Sequence, residues 1–393
     1  MGTEAHPDLE TSLTSATPQA KNPGSFDLIV VGAGIVGLAH AYTAVQRGLK
    51  VCVIERDAAA IGASIRNFGF ITITGQAPVD MWRRAMHARG VWNEVAPQAG
   101  IDVVHRNLWL AAYRPEAHDV LEAFMRTPMG KGCELLEAAD AQARAPALSL
   151  ADARSVLFSP HELRVESRTA IGLLTKWLAE AHGVTFRFGE AVHEVETPRV
   201  RTSRGTLHAE RVVVCTNTDL HGLFADRIAA HELTLCRLQM LRVKPEAGFR
   251  LPGSVMMDLS LVRYEGYSTL PEAAALRERL QQEEAASLAH GIHLIVVQSA
   301  DGSLVVGDSH HYADAPEPFA MEEVDQLILR HLRSTLNLEA AQITERWTGV
   351  YPSSKTTPCV IDAPDDATRL VLVTSGSGAS TGFGIAHDVF NAW

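Results

Sequence analysis

Gly32, Gly34 and Gly37 stand in GxGxxG spacing, and Glu55 follows 18 residues after the third glycine. Those residue types at that spacing can hold the phosphates and the ribose of a dinucleotide. Gly32 suits a tight turn, Gly34 lets backbone N–H groups approach a pyrophosphate, and Gly37 lets a helix pack closely on a strand. A helix opening at Ile35 and Val36 aims its unpaired N–H groups and its dipole at the same phosphates. Glu55 is placed to accept hydrogen bonds from ribose hydroxyls. The flanking sequence supplies the elements needed to position these groups. Residues 27–31 form a near-continuous apolar run, as in a strand buried on both faces of a parallel sheet. The spacing predicts a helix through about Arg47, ended by Gly48, and a second strand over 51–54 finishing at Glu55. The competing reading, a glycine-rich loop in an ordinary α/β sheet, leaves Glu55 unexplained.

At 393 residues the chain exceeds one typical core, so two domains are expected. A formal net charge of −11 provides no basic surplus to neutralise nucleic-acid phosphates, although a small anion needs only one or two cations. The five cysteines are odd in number and scattered, with no CxxC pair, so neither a disulfide framework nor a zinc site is expected and no metal is assigned. No apolar run approaches the roughly 20 residues that span a bilayer. Residues 1–25 are polar and lack a hydrophobic signal core, so they read as an unstructured extension and the cytoplasm as the location.

The nucleotide unit does not continue as a simple βαβαβ series. A polar loop over 61–77 gives way to an amphipathic helix over 78–96 and a strand over 102–113. A helix over 168–181, capped by Gly183, leads to short strands over 185–188 and 191–197, a turn at 203–205, and an apolar strand over 211–215. Strands over 233–243 and 291–298 suggest a second, more antiparallel sheet, with a charged helix over 271–289 between them. The strand 303–307 pairs with its predecessor through Asp301-Gly302, and a helix over 321–336 follows. An apolar strand over 369–374 then feeds Ser375-Gly376-Ser377-Gly378 and another helix. The expected fold is α/β. A Rossmann-like domain from 26–77, 156–225 and 341–393 is interleaved with an α+β substrate domain from 78–155 and 226–340, which carries a mostly antiparallel sheet.

That interleaving resembles the D-amino acid oxidase superfamily of flavoproteins, whose small members include glycine oxidase and sarcosine oxidase. The segments carrying the resemblance include HELRVES at 161–167, RVVVCTNTDLHGLF at 211–224 and ERWTGVYP at 345–352. More narrowly, RNFG, TGQA, SPHELRVES, RLQMLR, LVRYEGY, GIHLIVVQ, GDSHHY and TSGSG are similar to a bacterial subfamily associated with phosphonate use. The resemblance implies non-covalent FAD, with Gly32, Gly34, Ile35, Val36 and Gly37 at the pyrophosphate and Glu55 at the adenosine ribose. It places Arg56 near adenine, Ser64, Arg66 and Asn67 along the flavin side of the loop, and Val192 and Thr216 about the adenine and the region beyond it. Gly376, Gly378, Ser380 and Thr381 would present N–H groups to the flavin N1/O2 edge. The alternative for that last group is a simple turn-forming glycine cluster.

The implied substrate is a small anionic amine, first 2-aminoethylphosphonate or its N-methyl or N-alkyl derivatives. The implied acceptor is O2, although the superfamily's oxygen-promoting lysine falls here at Val305, which leaves room for an electron-transfer partner. A carboxylate-clamping arginine common in the amino-acid-oxidising members falls at Tyr351, so a carboxylate fork is missing there. A tetrahedral dianion needs several donors instead, and the candidates are Arg66, Arg263, Tyr264, His310, His311, Tyr351, Ser353, Ser354 and Lys355. Each has a plain structural alternative: a surface ion pair for Arg263, a solvated connection for 353–355, a buried hydrogen-bonded histidine for His310. Consecutive histidines on a strand point to opposite faces, so His310 and His311 are not expected to share a metal. Gln239 and Met240 are candidates to face the flavin. Covalent flavin attachment at Cys359 is disfavoured. The readings kept beside the phosphonate one are a glycine- or sarcosine-type amino acid oxidase, a flavin-binding protein without catalysis, and an NAD(P)H mono-oxygenase.

Overall fold

The computed structural model describes residues 24–393, and the expected unstructured extension lies outside them up to residue 23. The first strand already begins at Ser25 and runs to Val31. Leu28, Ile29 and Val30 are fully buried, as a central parallel strand requires. Full burial of each such side chain contributes about 1.5–3 kcal/mol. The strand is flanked by Val51–Glu55 on one side and Gly205–Val214 on the other, both parallel to it. Thr185–Phe188 and Thr368–Val373 extend the parallel run outward, and Cys359–Asp365 closes one edge antiparallel. This is the α/β, Rossmann-like sheet read from the sequence.

The helix Ile35–Val45 crosses from the first strand to the second. The C-terminal helix Gly378–Asn391 packs beside it and meets the long helix Asp80–Gln98. Two details of that contact matter. The Trp92 indole N–H donates to the Ala379 carbonyl at 2.9 Å, and a Cβ on Gly384 would sit 2.3 Å from the Arg84 carbonyl oxygen. Only glycine permits so close a crossing.

The second sheet has ten strands and is mostly antiparallel, with one parallel pairing between Ser254–Met257 and Val103–Ala112. Thr234–Pro245 pairs along its length with Ala341–Ser353, which sets Cys236 opposite Tyr351. Three strands that the expected boundaries assign to the nucleotide domain pair in this larger sheet, the short Phe70–Ile71 among them. Ser155–Val165 lies against Val103–Ala112, and Ala341–Ser353 lies against Thr234–Pro245. The strand expected over 291–298 is shorter, Ile295–Gln298, because Leu294 takes a positive φ of 43° that ends extended pairing. The charged helix expected over 271–289 is two, Ala273–Glu283 and Ala285–Ala289, broken at Glu284. No described helix is long and apolar enough to cross a membrane.

Candidate active site

One cavity of about 1170 Å³ runs from the first glycine turn to the inner face of the larger sheet. At its nucleotide end Gly32 has a φ of 103°, and a Cβ there would lie 2.5 Å from the Cys215 carbonyl oxygen. A Cβ on Gly37 would lie 1.9 Å from the Gly32 carbonyl oxygen and 3.2 Å from Val30 Cγ1. The turn and the helix can therefore approach only as glycine backbone. Gly34, Ile35, Val36, Arg56, Ser64, Arg66, Asn67, Val192 and Thr216 all line the cavity. Several are held by protein partners. Ser64 Oγ accepts the Ile35 N–H at 2.9 Å, and Arg56 pairs with Asp219 at 3.1 Å. The Asn67 side chain bonds the Ala63 and Ser64 carbonyls and the Gly69 N–H, so it builds its own loop.

At the opposite end of the nucleotide tract, Gly376 takes a φ of 70° and lies over the Tyr351 ring, where a Cβ would meet Cζ at 3.0 Å. The N–H groups of Ser380 and Thr381 both donate to the Ser377 carbonyl at 3.0 Å. They cannot also serve a flavin edge, and Thr381 does not line the cavity. The groups left at the open helix end are the N–H donors of Gly378 and Ala379. The Ser380 hydroxyl instead accepts the Thr72 N–H at 3.0 Å.

Gln239 is a second correction. Its side chain points away from the cavity, donating to the Met321 carbonyl and to Asp325, and accepting the Met321 N–H. Neighbours on a strand face opposite sides, and it is Leu238 that lines the cavity. Met240 is core.

The other candidates for the substrate end share the cavity: Arg66, Arg263, Tyr264, His310, Tyr351, Ser353, Ser354 and Lys355. Arg66 donates to the Ile61 carbonyl at 2.8 Å from an exposed loop, and Lys355 is also exposed. Arg263 is different. It opens onto the cavity, and among the described residues its guanidinium makes neither a hydrogen bond nor an ion pair. Its charge is permanent.

Around Arg263 stand the candidate His310 and two groups that the sequence did not single out, His293 and Asp308. His293 is buried behind Tyr264, with Nε2 at 3.3 Å from the Tyr264 hydroxyl and 3.3 Å from Asp308 Oδ1. Asp308 follows the strand Leu304–Gly307 and is 5% exposed. His310 Nδ1 is 2.9 Å from the Gly291 carbonyl, which identifies Nδ1 as the protonated nitrogen, and its Nε2 lies 3.8 Å from Asp308 Oδ2. A Cβ on Gly291 would press to 2.9 Å of the His310 Cβ, so that glycine sets the ring's place. Burial pushes the Asp308 carboxyl up to about 7, against the lowering pull of Arg263. Burial, then Arg263, push His293 down to about 3, and burial, Arg263 and His293 hold His310 well below its ordinary value. His293, Asp308 and His310 bring their polar atoms within 4.8 Å of one another. The Arg263 guanidinium opens on the same space. His311, half-buried, bonds His290 at 3.0 Å and takes no part.

The family model described as FAD dependent oxidoreductase matches residues 27–391. The chain belongs to that family. FAD is its cofactor, and the close-packed glycine turn and helix start described above border the cavity that would hold the nucleotide. N-methyl-L-tryptophan oxidase of Yersinia pestis is 26% identical over 204 residues, 49% of this chain and 54% of that protein. D-amino acid dehydrogenase of Helicobacter pylori is 45% identical over 53 residues, 14% of this chain and 13% of that protein. The chain thus matches only part of the length of these curated relatives. Among solved structures, glycine oxidase from Geobacillus kaustophilus gives a TM-score of 0.73 at 16% identity, covering 93% of this chain and 94% of that one. L-proline dehydrogenase from P. horikoshii gives 0.74 at 16% identity, covering 93% and 92%. At such identities the likeness is one of fold. Burial lifts the Cys359 thiol to about 12, which keeps it protonated at neutral pH.

Proposed function

We propose that this protein is an FAD-dependent amine oxidoreductase acting on a small amine that carries an anionic group. The first choice is 2-aminoethylphosphonate or its N-methyl or N-alkyl derivatives. The products would be phosphonoacetaldehyde plus ammonia or an alkylamine, with hydrogen peroxide when O2 is the acceptor. The observation that carries this reading is Arg263, a cation whose guanidinium makes no hydrogen bond or ion pair among the described residues, facing a recess lined by Tyr264, Tyr351 and Tyr312. A guanidinium left unpaired in such a place costs solvation unless an anion arrives.

The chemistry FAD supplies when bound is acceptance of a hydride from the carbon that bears nitrogen. The chain's own residues do the remaining work. Arg263 fixes the anion by charge-assisted hydrogen bonds, and the tyrosine hydroxyls add donors from other directions. Tyr351, buried under Gly376, narrows the passage between the anion recess and the cofactor tract. That fixes how far a bound amine extends toward the reacting ring, and such positioning is the main catalytic contribution available. Water hydrolyses the resulting imine.

A second reading, a glycine- or sarcosine-type amino acid oxidase, is favoured by the same residue, because one arginine fork also suits a carboxylate. Anaerobic addition of N-methyl-2-aminoethylphosphonate, 2-aminoethylphosphonate, glycine and sarcosine to the yellow holoenzyme separates the two. Bleaching of the flavin band by the phosphonates supports the first. Bleaching by glycine or sarcosine alone replaces it with the second. Bleaching by no amine removes both.

A further inference from the structure

Asp308 is a buried carboxyl that lines the same recess as Arg263. Among the described residues it makes no ion pair with a lysine or arginine, and its buried Oδ1 makes no hydrogen bond, although the neutral His293 ring stands 3.3 Å away. A buried carboxyl in that condition is costly as an anion until it is protonated or meets a cation. Its surroundings make it a proton acceptor and not a structural ion. Because His310 holds its proton on Nδ1 toward the Gly291 carbonyl, its Nε2 turns a bare lone pair toward Asp308. His293 Nδ1 is also buried without a partner. Among the described residues, the charged or titratable groups that face Asp308 are Arg263, His293, His310, Tyr264, Tyr312 and Cys236. Arg263 is the only cation among them at neutral pH, and it faces the anion's place. The recess is therefore dipolar, with a fixed positive end and an end that can hold or take a proton.

A zwitterion is the ligand class that fits a dipolar recess. Resting on the amine-oxidation reading, we propose that Asp308 takes the proton from the substrate's ammonium group. The nitrogen–hydrogen bond breaks, an oxygen–hydrogen bond forms on the Asp308 carboxyl, and the nitrogen keeps its electron pair. The amine is then neutral when its neighbouring carbon loses hydride to the cofactor. An alkylammonium has an ordinary pKa of about 10, so only about one molecule in a thousand is neutral at pH 7 without such an acceptor. A carboxyl that burial raises to about 7 lies between an ordinary carboxyl, near 4, and the ammonium, and so closes part of that gap.

The test compares the wild-type holoenzyme with Asp308→Asn and Asp308→Glu, using N-methyl-2-aminoethylphosphonate. The second-order rate of flavin reduction under anaerobic conditions is followed from pH 5.5 to 10. The wild type should level off above about pH 7. The Asn variant should be about 100-fold slower at pH 7 and keep rising close to tenfold per pH unit, so that high pH rescues it. The Glu variant should keep a plateau. A readout independent of turnover is calorimetric binding of the N,N,N-trimethyl analogue at pH 6 in two buffers of different ionisation heat. That ligand has no proton to give, so its binding should release close to one proton from the wild type and none from the Asn variant. Equal proton release, or parallel pH–rate profiles with unchanged FAD content, overturns the role of Asp308 while leaving the oxidoreductase reading intact. A wild type bleached by no amine overturns both.

Discussion

Glu55 and Ala33 are joined across the first turn: the Ala33 N–H donates to Glu55 Oε2 at 2.9 Å. The other oxygen, Oε1, accepts the Asp57 N–H at 3.1 Å. The end of the second strand thus braces the glycine turn while keeping acceptor capacity for a ribose. A carboxylate accepting such bonds contributes on the order of 1.5–3 kcal/mol each. Glu55→Ala should therefore weaken FAD binding about tenfold to a hundredfold, read by quenching of flavin fluorescence on titration into the apoprotein. An unchanged Kd would detach Glu55 from the nucleotide.

Gly37→Ala tests the same cradle from its packing side. The added carbon would lie 1.9 Å from the Gly32 carbonyl oxygen, backbone that cannot swing aside. Overpacking of that kind costs about 1–3 kcal/mol or more. The variant should melt several degrees lower and purify with less flavin. Full flavin content with an unchanged Tm would contradict the geometry.

Tyr351→Arg addresses specificity. Tyr351 is opposite Cys236 on paired strands and lies against Gly376, so an arginine there would carry a second guanidinium into the recess. A planar fork suits carboxylates, so the ratio of kcat/KM for carboxylate over phosphonate analogues should rise about tenfold or more. An unaltered ratio would take Tyr351 out of substrate selection. Arg263→Met should raise KM for either class of anion far more than it lowers flavin content.

Gln239→Ala should leave substrate KM unchanged and lower stability instead. The amide ties the central strand to the helix Glu322–Thr335 through Met321 and Asp325, and its loss leaves those partners buried and unsatisfied at about 1–3 kcal/mol. A change in KM with unchanged urea midpoint would return Gln239 to the site.

That residue also marks where the sequence ceases to be legible. The glycine turn, the first two strands and Glu55 are local, set by spacing within 30 residues, and the structure places them as read. The parity of a strand is also local, but which face meets a cavity depends on the partner sheet; Gln239 and Leu238 could be told apart only once Ala341–Ser353 had paired. Strands Ser155–Val165 and Ala341–Ser353 join the larger sheet through partners roughly 50 to 100 residues away, which no window shows. His293 and Asp308 were hidden differently. A histidine in an apolar run and an aspartate after Gly307 look like a core residue and a turn. Their meeting with Arg263 comes from three separate segments converging. Only the acid directly following an apolar strand offered a signal.

Acid sensitivity follows from histidines that burial keeps neutral. His40 is fully buried, and desolvation drives its pKa down to about 4 despite the bond from Nδ1 to the Val36 carbonyl at 2.7 Å. His105 is held at about 3 by burial and then Arg164, and its Nε2 accepts the Gln298 N–H, which only the neutral ring can do. In the unfolded chain such groups titrate near 6.5, so between that value and the folded one the unfolded state binds more protons. The stability they protect is complete above pH 6.5 and is lost as pH falls toward 4. Each contributes on the order of 2 kcal/mol of that loss by pH 5. Asp308 acts with the opposite sign: its raised pKa favours the folded state at low pH, and that share is lost as pH rises through about 7. The histidines outnumber it, so the urea midpoint of the apoprotein should fall steeply from pH 6.5 to 4.5. His40→Leu should flatten part of that slope, whatever it does to the midpoint at pH 7. An identical slope in wild type and variant would mean that His40 is already protonated in the folded protein, and that its place against Phe390 is wet.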